Sequence, residues 1–355
     1  MEEQKYAYWL ANISGVGIKT IHQLYKYCDN AREIYELGPG QLLHIHNLTE
    51  KTADLIVQSK KNWDVDGQWE QFLERGIQFY SMENQKYPKK LRHIYDMPYA
   101  IYVIGELPDE KEKSAAIVGA RNCSPYGKKA AQEFGKKLAE AGVNLISGMA
   151  RGIDSMGHRG ALLAGGRTYA VLGCGVNIVY PPENWELYEQ IAKHGGILSE
   201  YPPDMAPQPG FFPMRNRIIS ALSDVVIIIE AKEKSGSLIT ADYALDQGKD
   251  VFALPGSIYD SLSAGCNRLI KQGAGILLSP QDLLEELSLS ESKKQVLLEK
   301  EELLVYSTLD LHPKSIEELA QKTGMDLLRL TEVIFALEER GFAEEAYQNY
   351  YRIRN

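Results

Sequence analysis

Through the middle of the chain, short uninterrupted runs of branched apolar residues alternate with longer stretches whose apolar positions recur every three or four residues. The runs at 115–119, 143–147, 168–173, 197–200, 224–230, 250–254 and 275–278 have the composition of strands covered by helices on both faces. Between the first two, Ser124 stands as a cap ahead of Pro125, which predicts a helix from that point. A second helix is expected over about 154–164. This rhythm predicts a doubly wound α/β sheet with right-handed crossovers.

The flanks read differently. Residues 13–24, Ile-Ser-Gly-Val-Gly-Ile-Lys-Thr-Ile-His-Gln-Leu, resemble a helix-hairpin-helix unit, and the pattern repeats 32 positions later over 45–56 with Asn47 and Thr49 in place of the glycines. In the first copy, the amides of Gly15 and Gly17 beside Lys19 offer a contact to a duplex DNA phosphate. A turn that only packs two helices is the other reading. The polar stretch 106–113 has no apolar periodicity and marks the expected first boundary. A serine-, lysine- and glutamate-rich linker is expected over 289–300. Beyond it, Ser315-Ile316-Glu317-Glu318 opens a helix, 325–340 has helical spacing, and 341–353 suggests a hairpin turning near Gln348-Asn349. Three short helices and a hairpin resemble a winged helix. The expected domains are therefore a helical module over 1–105, the sheet domain over 114–288 and a winged-helix-like module over 300–355.

At 355 residues the chain is long enough for two or three domains, and its 44% hydrophobic and 25% charged content is that of a globular protein. No apolar run approaches the ~20 residues needed to span a bilayer, and no secretory signal is visible, so a cytoplasmic location is expected. Cys28, Cys123, Cys174 and Cys266 lack metal-ligand or disulfide spacing. No metal is expected. The net charge of −9 excludes a broad basic surface and leaves room only for a focused basic groove. From Glu301 onward, six Lys and Arg face eleven Asp and Glu, a poor balance for neutralising duplex phosphates.

Candidate chemistry gathers where predicted strands end. Gly119-Ala120-Arg121, Ser147 to Asp154, and Phe211 to Arg217 would be three loops at one sheet edge, each bringing an arginine to the crevice where open α/β sheets bind ligands. The turn after 115–119 lacks Gly-x-Gly-x-x-Gly and no phosphate-binding loop of the Gly-x-x-x-x-Gly-Lys kind exists, so neither a dinucleotide cofactor nor ATP hydrolysis is expected. What remains suits phosphate that is held rather than transferred. Arg121 has a planar fork for a phosphodiester, and the Ser147-Gly148 and Ser235-Gly236-Ser237 amides can form anion nests. Phe211 and Phe212 beside Arg215 offer a stacking surface for an unpaired base. Each feature has an internal alternative: Arg121 and Arg151 paired with Asp154 or Glu230, at least one phenylalanine in the core, and glycines that only let helices approach strands.

Six ordered motifs carry a resemblance that covers most of the chain. They are Ile117-Val118-Gly119-Ala120-Arg121 with Ser124-x-Tyr126-Gly127, Ser147 through Asp154, Gly173-x-Gly175 to Tyr180-Pro181, Phe212 through Ile219, Gly236-Ser237-Leu238-x-Thr240-Ala241, and Ala253-Leu254-Pro255-Gly256. The chain resembles the DNA processing protein A family, also called Smf. The resemblance implies an extended Rossmann-like core that binds single-stranded DNA without sequence specificity, forms a homodimer through that core, and helps load RecA in natural transformation and recombination. By motif, the strand-binding residues would be Gly119, Arg121, Ser147, Gly148, Arg151, Gly152, Phe212, Arg215, Asn216, Arg217, Gly236 and Ser237. A lysine common just ahead of the Phe-Pro motif is replaced by Gln208, Pro209 and Gly210. The rival is a nucleoside monophosphate phosphoribohydrolase on a related fold, but its loop glutamate is missing from Ser235 through Asp242, so general acid or base work at a sugar has no obvious agent; Asp154 and Glu230 are the substitutes it would need, and structural pairing is the other reading of both.

Overall fold

The computed structural model describes residues 3–289, 300–310, 312–339 and 342–353. Two compact units divide the chain, 1–288 and 289–355. Apart from its end positions, the linker expected over 289–300 lies outside the described residues, as do Arg340 and Gly341.

The first unit is organised by nine strands: β1 (Gln78–Ser81), β2 (Ala100–Gly105), β3 (Ser114–Gly119), β4 (Asn144–Ser147), β5 (Thr168–Val171), β6 (Gly195–Ser199), β7 (Val225–Ile229), β8 (Asp250–Ala253) and β9 (Gly275–Ile276). They lie in the order β1-β2-β6-β5-β4-β3-β7-β8-β9. From β6 to β9 all neighbours are parallel, and these strands are the seven that the apolar runs predict. β3 is the switch point: the chain leaves it first toward β4 on one side and later returns to β7 on the other. The loops after β3 and β7 therefore open a crevice between them.

The boundary expected over 106–113 is not a break in the sheet. β2 pairs antiparallel with β6 and β1 with β2, so the segment merely connects β2 to β3. The apolar run 100–104 belongs to the sheet because β6 would otherwise leave its outer hydrogen-bonding groups unpaired. Ahead of β1, six helices run from Gln4–Ala11 to Val65–Glu74 and bury an aromatic cluster in which Tyr8 touches Trp63, Trp69, Phe72 and Phe79.

Local signals explain the helices that frame the crevice. The helix Pro125–Glu140 starts where the Ser124 hydroxyl accepts from Gly127 N at 3.1 Å. Its first turn also faces the Glu230 carboxylate, which accepts from Ser124 N at 2.8 Å and from the Ser124 hydroxyl. A buried carboxylate at a helix N-terminus is a favourable pairing. The helix Trp185–His194, absent from the sequence expectations, covers β5 and β6. In the amino-terminal helices, Gly15 (φ 81°) and Asn47 (φ 63°) occupy equivalent turns 32 residues apart, and both adopt the left-handed backbone that glycine and asparagine tolerate.

The second unit runs helix Lys300–Thr308, strand Lys314–Ser315, helix Ile316–Thr323, helix Leu327–Glu339 and strands Ala343–Tyr347 and Tyr350–Ile353. The last strand lies between the other two. Val305, Leu319, Leu330, Ile334 and Leu337 form its own core.

Candidate nucleic-acid interface

A cavity of about 630 Å³ occupies the switch-point crevice, walled by 118–122 after β3, by 212–216, and by Lys232 to Ser237 after β7. Gly119, Arg121, Phe212, Arg215, Asn216, Gly236 and Ser237 all line it. Arg121 is exposed and forms no ion pair with any described residue; its guanidinium carbon sits 5.5 Å from the centre of the Phe212 ring. Phe212 in turn stacks on Tyr180, ring centres 5.4 Å apart at 29°. Tyr180, 38% exposed, extends this cation and aromatic ledge toward solvent. Phe211 faces elsewhere, stacked on Tyr201 at 4.0 Å. Both phenylalanines are half-buried, so neither is sealed in the core.

The segment 211–217 is not a loop. It forms the first turns of a helix, Phe211–Leu222, and helical geometry separates its arginines. Residues 215 and 217 project about 200° apart around the axis, so they cannot both face the crevice. Arg217 is 2% exposed, does not line the cavity, and pairs with Glu200 at 2.6 Å; its assignment as a strand contact is corrected accordingly. Arg215 is 4% exposed, and its Nη1 donates to Gly148 O at 2.9 Å and to Val171 O. Burial pushes this guanidinium down to about 10, with the Asp154 carboxylate holding it up, so it stays charged at neutral pH. Arg215 reaches the cavity as a positive floor that ties the loop after β4 to the end of β5 rather than as a free clamp.

The Ser147-Gly148 nest is likewise occupied from within. Ser147 is buried with its hydroxyl donating to Ile117 O at 2.5 Å, and Gly148 N donates to Asp154 Oδ2 at 3.1 Å. The anion in this nest is the chain's own carboxylate. Burial raises the Asp154 carboxyl above the usual range while the Arg215 charge opposes the shift. Gly152, at φ 76°, sits where a Cβ would lie 2.3 Å from Ala120 O; it lets the loop after β4 press against the loop after β3. Arg151 pairs with Glu183 rather than with Asp154 or Glu230, both partners about half exposed, at the rim near Tyr180. Such an exposed pair contributes little stability and opens readily.

Sequence reasoning missed Lys232 and Lys234, which are exposed, line the cavity and form no ion pair with a described residue. The signal existed: they follow the end of β7 as Arg121 follows β3. Together they bring cations to the side of the crevice opposite Arg121. Gly15, Gly17 and Lys19 are exposed in the amino-terminal helices and do not line this crevice. Gly17 starts its helix without a side-chain cap, whereas Thr49, its counterpart, accepts from Thr52 N. Among the described residues no group of His, Cys, Asp or Glu is placed to hold a metal ion, and no helix is long and apolar enough to cross a membrane.

A mostly parallel sheet whose switch-point crevice is lined by cations, a helix N-terminus and an aromatic ledge defines an α/β protein of the Rossmann-like kind, with a crevice whose chemistry suits an anion. The model of the family described as DNA recombination-mediator protein A matches residues 78–288, from β1 to the end of the first unit. The chain belongs to that family. It is 44% identical over 217 residues to DNA processing protein DprA of Bacillus subtilis, covering 61% of this chain and 73% of that one. To Protein Smf of Synechocystis it is 36% identical over 294 residues, covering 81% and 74%. Among solved structures, DNA processing protein A from Streptococcus pneumoniae superposes with a TM-score of 0.71 at 36% identity, over 79% of this chain and 97% of that one. DNA processing protein A from Helicobacter pylori, described for its single-stranded DNA binding mode, gives 0.53 at 35% identity, over 59% and 96%.

Proposed function

We propose that the crevice holds single-stranded DNA without regard to sequence, and that the protein delivers the strand to RecA in natural transformation and recombination, acting as a homodimer built on the sheet domain. The observation that carries the binding step is the Arg121, Phe212 and Tyr180 ledge beside two unpaired lysines. An unpaired base stacks on an aromatic face while its phosphate meets a cation, and duplex DNA presents no free base face to such a ledge. Arg121, Asn216, Lys232, Lys234 and the Gly236-Ser237 turn are the strand contacts in this reading. Arg215, Gly148 and Gly152 shape the crevice from behind. The single-stranded DNA mode described for the Helicobacter pylori protein supports the assignment.

The protein acts here as a binder, not as a phosphoribohydrolase. Asp154, the one carboxylate among the described residues that lines the cavity, is 5% exposed and accepts from Gly148 N, and Glu230 is 4% exposed and engaged by Ser124, so both are held by the fold rather than presented to a sugar. Order along the chain supports a winged-helix reading of the second unit, whose acidic balance suits packing or a protein partner. The experiment is a gel shift with labelled oligothymidylate at two salt concentrations, alongside duplex of the same length. Tight, salt-sensitive binding of the single strand is expected. Equal affinity for duplex, or release of base from nucleoside monophosphates, overturns the reading.

A further inference from the structure

Thr240 stands at the floor of the crevice, in the second turn of the helix Gly236–Asp246, and lines the cavity while only 1% exposed. Its Oγ1 is buried with no hydrogen-bond partner among the described residues. A helical threonine ordinarily turns its hydroxyl back onto the carbonyl four residues earlier. Here that carbonyl, Gly236 O, receives Asn216 Nδ2 at 3.3 Å instead. The hydroxyl is therefore left buried just beneath the wall of the cavity that Thr240 lines, with its hydrogen-bonding capacity unused, an unfavourable state that a small shift of the side chain toward an incoming oxygen relieves.

Three other features converge on the same corner. Lys232 and Lys234 lead into the helix start, which contributes its own partial positive charge. A Cβ built on Gly236 would meet nothing within 4 Å, so the backbone there fronts open space. Asn216, held by Gly236 O, closes the wall on the side of the Phe211–Leu222 helix.

We infer that this corner, formed by Thr240, Lys232, Lys234 and the Gly236 helix start, takes the terminal phosphomonoester of a DNA strand and so gives the protein a preference for phosphorylated strand ends. The inference rests on the single-strand reading and adds end recognition to it. Stereochemistry favours an end over an internal link. A bridging diester has one negative charge and ester groups on two sides, so it offers the corner only two free oxygens and half the charge. A terminal phosphate has one ester, three free oxygens and close to two negative charges, which two lysines and a helix N-terminus match.

The test is fluorescence anisotropy with oligothymidylates that differ only at one end: 5′-phosphate against 5′-hydroxyl with a 3′ label, and 3′-phosphate against 3′-hydroxyl with a 5′ label. The phosphorylated end is expected to bind about tenfold more tightly, a difference of about 1.4 kcal/mol. Gain in one series alone identifies which end is read; gain in both means either end is accepted. Thr240→Val keeps the shape and removes the hydroxyl, and it abolishes the preference if the floor contact is real. A melting temperature at or above that of the parent shows that the variant is folded. Equal, tight binding of phosphorylated and hydroxyl ends overturns the inference and leaves strand binding standing. Failure of every strand to bind overturns the underlying reading instead, and a preference that survives Thr240→Val removes Thr240 from the site.

Discussion

Replacing Arg215 with alanine separates a structural arginine from a ligand-binding one. Its side chain is nearly sealed from solvent, donates to the Gly148 and Val171 carbonyls, and supplies the positive charge that opposes the upward shift of Asp154. Truncation would leave two carbonyls without their donor and a buried carboxylate without its balancing charge. Breaking such an arrangement from one side costs about 3–5 kcal/mol, a large part of the 5–15 kcal/mol that ordinarily holds a domain together. Urea unfolding followed by circular dichroism is the assay, with Arg121→Ala as the comparison because that side chain is exposed and unpaired. Arg215→Ala should unfold at markedly lower urea, and Arg121→Ala should match the parent. The double variant Arg215→Met with Asp154→Asn should recover much of the loss, since it removes both charges together. An Arg215→Ala protein as stable as the parent would refute this account of the crevice floor.

Four further outcomes follow from the same geometry. Arg121→Ala should lower the dependence of log affinity on log salt by about 0.7 if one strand phosphate is lost, measured by titrating oligothymidylate at several salt concentrations. Phe212→Ala should weaken oligothymidylate binding by about 1–3 kcal/mol while melting close to the parent, and an unfolded variant would mean the ring is a packing residue. Gly152→Ala should destabilise the protein by at least about 1–3 kcal/mol from backbone strain alone, because φ is 76° and the new Cβ would meet Ala120 O, with thermal melting as the check. His158 is fully buried, bonds Thr168 Oγ1 through Nδ1 at 2.6 Å, and is pushed down to about 3 by burial. The unfolded chain therefore binds a proton that the folded one refuses, and this group removes up to about 1.4 kcal/mol of stability per pH unit as pH falls from about 6.5 toward 3. Asp154 and Glu200, whose carboxyls are raised by burial, work in the opposite sense, so the comparison is the slope for His158→Gln against the parent, which should be flatter on acidification.

Local chemistry was enough to read most of the sheet domain. Branched apolar runs cannot sit in water and mark seven parallel strands; Ser124 ahead of Pro125 marks a helix start; Gly119 and Arg121 mark a strand end facing the crevice. These signals lie within a few residues of one another, so no knowledge of distant contacts was needed. The direction of each side chain was another matter. Phe211 to Arg217 has the composition of a binding loop, yet it forms a helix whose twist sends Arg217 to Glu200 and Arg215 beneath Gly148, 67 residues away in sequence. Gly148 looks like an open nest until Asp154 fills it, and β2 looks like part of a helical module until β6 takes it as a partner. Burial, charge pairing and sheet register depend on which distant residues arrive, and only the folded chain specifies those arrivals.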